Sequence, residues 1–174
     1  MFQKFYPSYY VDSSYQIPYE KLYQQGYRGI IFDIDNTLVP HGADASQEAI
    51  ELMKRIRNIG FSVCFISNNH EERVSRFNRE IRAKYVYEAK KPSTKNYRKA
   101  MEFMGTTKET TFFVGDQIFT DVYGANRTGI TSFLVKPIDK HEEIQIIIKR
   151  RLEWIVLKCY KRKMRNDKLK KDKR

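Results

Sequence analysis

The sequence predicts an α/β protein: a doubly wound, mostly parallel sheet flanked by helices. Three observations predict it. Short apolar runs rich in β-branched and aromatic residues recur at 29–35, 61–67, 85–87, 111–115 and 130–135. Stretches with apolar residues at helical spacing separate them. Several runs end in polar residues, such as Asp33-Ile34-Asp35, Ser67-Asn68 and Gly115-Asp116. In open α/β sheets that carboxyl edge is where ligands bind.

In chain order, residues 1–28 read as an irregular aromatic arm. Seven tyrosines from Tyr6 to Tyr27 are punctuated by Pro7 and Pro18. A short helix is expected near Tyr19–Gln25, closed by Gly26. The tyrosines are expected to cover the sheet edge with their hydroxyls wet. The strand at Gly29–Asp35 follows. Asp44-Ala45-Ser46-Gln47 resembles a capping box opening a helix that Gly60 ends. Phe61–Ser67 is the second strand, and a polar helix carrying Val74 and Phe77 comes next. After the strand at Tyr85–Tyr87, Pro92 and Ser93 open a helix that stops at Gly105. The strand at Thr111–Gly115, a short helix at Val122–Arg127 and the strand at Ile130–Val135 complete the alternation. From His141 a long helix begins. At 100° per residue Ile144, Ile148, Leu152, Ile155 and Cys159 share a face expected to dock on the sheet. Ile146, Trp154 and Leu157 lie elsewhere, interleaved with Arg150 and Lys161 in the manner of a membrane-interface surface.

The 174 residues suffice for one domain with a real core. We expect a single domain over 1–160 and a basic, flexible tail over 161–174. The net charge of +12 is concentrated there: from Lys158 onward ten basic residues face two aspartates, which leaves +8. Neither Cys64 nor Cys159 has metal-ligand spacing, so reduced thiols in a cytoplasmic protein are expected. The N-terminus shows no apolar segment of the secretory kind, and Lys149, Arg150, Arg151 and Glu153 break the best candidate span, around Ile144 to Leu157.

The chemistry concentrates at strand ends. Asp33 and Asp35 stand on alternate residues, so on a pleated strand they point the same way. Carboxylates that close repel unless a cation or a shared proton compensates, and Mg²⁺ with oxygen ligands fits best. Ser67-Asn68, Lys91, Asp116 and Asp121 follow later strands. Taken singly each has a plain structural role: Asp33 and Asp35 as turn residues, Ser67 as a helix cap, Lys91 as a solvated cation, Asp121 as an N-cap. Their joint order is what points to function.

That set resembles the haloacid-dehalogenase (HAD) superfamily of aspartate-dependent phosphotransferases. The carrying residues are Asp33-Ile-Asp35-Asn-Thr37, Ser67, Lys91 and Gly115-Asp116 with Asp121. The finer pattern, in Ser67-Asn-Asn with Arg73-Val74, Ala89-Lys-Lys-Pro and Gly115-Asp-Gln-x-x-Thr-Asp-Val, is similar to the cap-less YqeG-like group. Mitochondrial relatives of that group act as phosphatidylglycerophosphate phosphatases. The resemblance covers about residues 1–160. It implies a Rossmann-like fold without a cap domain, since neither usual insertion point has room for one.

The resemblance also implies roles. Asp33 would be the nucleophile and form an aspartyl-phosphate, and Asp35 the general acid and base. Asp33, Asp116 and the main-chain carbonyl of Asp35 would hold Mg²⁺. Ser67, the Asn68 N–H and Lys91 would hold phosphate oxygens. Thr37 and Asp121 would steady these groups. An open site suits a lipid phosphate, so the expected partners are such a substrate and an anionic membrane surface, with the protein peripheral on its inner face. Two alternatives stay open: a soluble phosphatase for a sugar or nucleotide phosphate, and an RNA- or ribosome-associated protein that grips nucleic acid through the basic tail.

Overall fold

A computed structural model describes residues 2–139 and 144–171, with side chains of the last helix described from Arg151 to Asp167. The strands are β1 (Tyr9–Val11), β2 (Gly29–Phe32), β3 (Ser62–Ile66), β4 (Lys84–Val86), β5 (Thr111–Gly115) and β6 (Thr131–Val135). All pair in parallel, in the order β1-β6-β5-β2-β3-β4. The helices are α1 (Tyr19–Gln24), α2 (Gln47–Ile59), α3 (Glu71–Asn78), α4 (Thr94–Met104), α5 (Tyr123–Thr128) and α6 (Ile144–Lys171).

The chain winds outward from β2 through β3 to β4, then returns to place β5 and β6 on the other side. The reversal lies between β2 and β5, which makes the crevice above their carboxyl ends the topological switch point. Alternation along the strands sorts the core into two layers. Ile30, Phe32, Val63, Phe65, Phe112 and Val114 pack with residues of α1, α2 and α3. Ile31, Cys64, Ile66 and Phe113 face Tyr97 and Ala100 of α4 and Ala125 of α5. Ile30, Ile31 and Phe32 are wholly buried, and each such side chain contributes about 1.5–3 kcal/mol of apolar transfer. No lid interrupts the winding: 14 residues join β2 to α2 and seven join β4 to α4.

Three expectations need correction. The arm is not irregular, because Tyr9–Val11 pairs with β6 as an edge strand. A three-residue strand is too short to show a period-2 pattern. The arm's tyrosines do cover the sheet, but three of the hydroxyls are bonded rather than wet: Tyr19 to the Ser14 carbonyl at 2.6 Å, Tyr15 to the Leu38 carbonyl at 2.6 Å and Tyr27 to Thr131 Oγ1 at 2.8 Å. Second, α2 is capped by Ser46, whose Oγ accepts from the Ala49 N–H at 3.1 Å. Asp44 instead pairs with Arg76 at 2.7 Å. Third, α6 buries Glu153, Val156 and Tyr160, while Leu152 and Ile155 are about half exposed, at 53% and 46%. Ile144, Ile146 and Ile148 lie outside the described side chains. The helix turned to bury Glu153 because that carboxylate has backbone partners, described below. α6 continues through residue 160 without a break.

Candidate active site

Four strand ends build the site. At β2, the Asp33 N–H donates to the Val114 carbonyl at 2.9 Å, and the chain then turns sharply away. Asn36 takes the turn with φ of 60°, a left-handed conformation that asparagine tolerates. The arm holds this turn: Ser14 Oγ donates to the Thr37 carbonyl at 2.7 Å, beside the Tyr15–Leu38 bond. At β5, Gly115 leads into Asp116 and then a single π turn, Ile118–Val122. A Cβ on Gly115 would lie 2.5 Å from Asp121 Oδ2, so only glycine lets that carboxylate settle against the strand.

Asp33, Asp116 and Asp121 converge, each buried, with one carboxylate oxygen apiece within 4.8 Å of the others. Lys91 enters from the loop after β4. Its Nζ donates to Asp33 Oδ1 at 2.6 Å and to Asp121 Oδ1 at 2.7 Å. Its backbone is fixed by Asn68, whose Oδ1 accepts from the Lys91 N–H at 2.7 Å. Asp121 receives Lys91 on one oxygen and the Gln117 N–H on the other, at 3.1 Å. Thr37 Oγ1 donates to Asp116 Oδ1 at 3.3 Å. Ser67 is buried, and its Oγ accepts from the Asn69 N–H rather than capping α3, which begins after His70. A cleft of about 210 Å³ opens over these groups, lined by Asp33, Asp35, Ser67, Asn68 and Lys91 among others.

Electrostatics follow from burial. Burial pushes the Asp33 carboxyl well above the usual carboxylate range; Lys91 pulls it down, and Asp121 and Asp116 push it further up. Burial would lower Lys91, but the carboxylates of Asp121 and Asp33 outweigh it and keep the ammonium above its ordinary value. An ionised Asp33 therefore calls for more positive charge than Lys91 supplies. The donor set, carboxylate oxygens in a tight cluster, is one a hard divalent cation takes.

Every site residue expected from the sequence lies in this region, but the side chain of Asp35 stands apart from the acidic cluster. Its Oδ1 accepts from the Gly42 N–H at 2.7 Å and from Arg73 Nη2 at 2.9 Å, and its Oδ2 from Asn69 Nδ2 at 2.8 Å. His41 Nδ1 is 3.8 Å away. Sequence reasoning gave Asn69 and Arg73 no role of their own, although they follow Ser67 closely. It also passed over Glu153, whose Oε1 accepts from the Ile118 and Phe119 N–H groups at 2.7 and 3.4 Å. The available signal was that Glu153 is the lone acid between Ile144 and Asn166.

Comparison with known proteins gives the family and the fold. The HAD-hydrolase-like family matches residues 88–145. The chain is 35% identical over 165 residues to the Bacillus subtilis protein named "Probable phosphatase YqeG", covering 94% of this chain and 96% of that one. It is 29% identical over 160 residues to phosphatidylglycerophosphate phosphatase 1, chloroplastic/mitochondrial, of Arabidopsis thaliana, spanning 84% of this chain but 45% of that longer protein. Among solved structures, a HAD family hydrolase from Streptomyces avermitilis superposes with a TM-score of 0.53 at 13% identity, over 66% of this chain and 76% of that one. The magnesium-bound HAD-hydrolase YfnB of Bacillus subtilis gives 0.51 at 12% identity, over 68% and 91%. The structures speak for the fold, and the YqeG relationship, which runs nearly end to end, speaks for the family: the chain belongs to the YqeG-like phosphatases of the HAD superfamily.

Proposed function

We propose that this phosphatase is a Mg²⁺-dependent phosphomonoesterase that works through an aspartyl-phosphate, with phosphatidylglycerophosphate at a membrane surface as its substrate. The observation that carries the mechanism is the convergence of Asp33, Asp116 and Asp121 within 4.8 Å, with the Lys91 ammonium 2.6 Å from Asp33. Asp33 attacks phosphorus; the P–O bond to the leaving alkoxide breaks, and Asp35 delivers the proton that alkoxide needs. Asp35 then takes a proton from the water that hydrolyses the acyl phosphate. Lys91, Ser67 and the Asn68 N–H hold the transferring oxygens, where charge grows in the transition state. Asp33 and Asp116, with the Asp35 carbonyl, would hold Mg²⁺, and Thr37 and Asp121 steady Asp116 and Lys91. When bound, the ion offsets the repulsion between an anionic nucleophile and an anionic phosphate.

The lipid reading rests on three supports: the named activity of the Arabidopsis relative, the lidless cleft, and α6. That helix exposes Trp154 (61%) and Leu152 among lysines and arginines, with Lys158 Nζ 4.9 Å over the Trp154 ring. A basic residue near an anionic leaflet contributes roughly 1 kcal/mol. With half of the +8 engaged, attraction is on the order of 4 kcal/mol, about a thousandfold in partitioning. On this reading the enzyme is cytoplasmic and peripheral on the inner face, and no described helix is long and apolar enough to cross a membrane.

The test is a phosphatase panel of lipid phosphates in mixed micelles beside sugar and nucleotide phosphates, with sedimentation on anionic vesicles. Chelator should abolish turnover, Mg²⁺ restore it, and Ca²⁺ inhibit, since its looser coordination misplaces the nucleophile. Selective turnover of sugar or nucleotide phosphates, or tight RNA binding without vesicle binding, would replace the lipid reading. Undiminished turnover in chelator would remove the metal.

A further inference from the structure

The cleft over Asp33 is lined by residues with polar or charged side chains throughout. Most of them already have a task. Asp33 and Lys91 hold each other, and Asn69 holds Asp35. Ser67 and the Asn68 N–H face the phosphate in the mechanism above. Asn36 Oδ1 accepts from the Asp139 N–H at 3.2 Å. His41, Gln117 and Thr120 also line the cleft and have no part in that chemistry.

His41 comes from the loop after β2 and stands beside the proton donor of the mechanism, with Nδ1 3.8 Å from Asp35 Oδ1. Its Nε2 takes no hydrogen bond among the described residues. Gln117 and Thr120 come from the segment after β5. Thr120 Oγ1 donates to Gln117 Oε1 at 3.2 Å. The oxygen end of that amide is therefore occupied, and the Nε2 end is left to donate into the cleft. The direction of attack says which part of an ester these groups meet. Asp33 attacks phosphorus, and the leaving oxygen departs on the far side, where Asp35 protonates it. The first carbons of the leaving group thus lie beside Asp35 and His41. The cleft of about 210 Å³ has room there for a phosphate and a small headgroup, while a pair of acyl chains must lie outside it. A plain alkyl group would strip water from His41 and Gln117 and give them no hydrogen bond in return. A hydroxyl on the carbon next to the ester carbon restores it.

We infer that His41 and the Gln117–Thr120 pair form the leaving-group subsite, and that they select phosphate esters of polyols, with a hydroxyl on the carbon next to the ester carbon. The inference rests on the phosphatase reading of the cleft and narrows the lipid reading. A phosphate carried on a glycerol headgroup fits. A phosphate carried directly on diacylglycerol presents an acyl ester at that carbon and does not.

The full-length protein would be tested on two pairs of esters. Propane-1,2-diol 1-phosphate and propyl phosphate differ by the one hydroxyl. Short-chain phosphatidylglycerophosphate and phosphatidic acid with the same chains make the lipid pair. In each pair kcat/KM should favour the hydroxylated member by about tenfold or more, the scale of one or two net hydrogen bonds. In the double variant His41→Leu, Gln117→Leu both ratios should fall close to one. A wild-type ratio near one in the soluble pair, or a preference that survives in the double variant, overturns the subsite and leaves the phosphatase reading intact. A preference in the soluble pair with neither lipid hydrolysed upholds the subsite and assigns it to a free polyol phosphate instead of a lipid headgroup. If no ester is hydrolysed, the phosphatase reading fails for these substrates, and calorimetric titration of the soluble pair decides the subsite. Tighter binding of the diol ester, lost in the double variant, upholds it; equal or absent binding removes it.

Discussion

Arg73 grips Asp35: Nη2 lies 2.9 Å from Oδ1, and the two side chains are only 13% and 12% exposed. The rest of that guanidinium, Nε and Nη1, is buried without a hydrogen-bond partner among the described residues. An arginine held at such desolvation cost is placed for its hold on the carboxylate. We predict that Arg73→Ala lowers kcat by about 10- to 100-fold, the scale of a small misplacement of a reacting group. KM should change less, because Arg73 does not line the cleft. Arg73→Lys should recover only part of the loss, since an ammonium cannot reproduce the planar fork. Steady-state kinetics on a soluble ester decides it: a KM effect with kcat intact would assign Arg73 to substrate binding instead.

Asp33→Asn keeps shape and removes the attacking anion. Turnover should fall by roughly 10³-fold or more. The fold should persist, because Lys91 retains Asp121 at 2.7 Å. Activity close to wild type, with an unchanged circular dichroism spectrum, would exclude Asp33 as nucleophile. Asp35→Asn should be similarly crippled, since an amide cannot shuttle the proton.

Gly115→Ala should act at a distance through Asp121. The added methyl would press on Asp121 Oδ2 and on the Phe113 ring. Overpacking of this kind costs about 1–3 kcal/mol. Because Asp121 holds Lys91, activity should fall along with the denaturation midpoint. Lost stability with unchanged kcat would break the proposed chain from Asp121 to Lys91.

The two thiols should separate cleanly. Burial pushes Cys64 up to about 12, whereas Cys159 is partly exposed on α6. At pH 8 a thiol reagent should modify Cys159 in the native protein and reach Cys64 only on unfolding. The sign of the linkage follows. Above about pH 9 the unfolded thiol ionises while the folded one keeps its proton. Cys64 therefore removes stability as pH rises towards 12, at about 1.4 kcal/mol per pH unit. Replacing Cys64 with alanine should flatten that part of a stability–pH curve. Equal reaction of both thiols at pH 8 would contradict the burial argument.

The five strands β2–β6 and the helices between them were legible because burial on both faces writes apolar runs into the sequence, as in Ile30-Ile31-Phe32 and Phe112-Phe113-Val114. The positions of Asp33, Ser67, Lys91 and Asp116 at strand ends were legible for the same reason. β1 was not, since three residues carry no period and its partner lies more than 120 positions away. The orientation of α6 was misjudged because apolar spacing alone favoured Leu152 and Ile155. The unsatisfied N–H groups of Ile118 and Phe119 attract Glu153 more strongly, and a helical wheel holds no record of a loop's hydrogen-bonding needs. The clamp on Asp35 joins residues from two loops and a helix, a tertiary relation with no local signal.

The pairing of β1 with β6 also sets the order in which the molecule can be finished. Tyr9 lies opposite Phe133, and Val11 opposite Val135. Domains assemble as the chain is synthesised from its N-terminus. The first strand to emerge is thus among the last to find its neighbour, since that neighbour emerges after all the other strands. Until then Ser14 and Tyr15, which brace the turn at Thr37-Leu38, lack the β1–β6 pairing on their N-terminal side. Maturation of the catalytic turn is in this way coupled to completion of the far edge of the sheet. A nascent chain stopped before residue 131 would carry Asp33, Lys91 and Asp116 without β6, the strand on which the arm's own edge strand is seated.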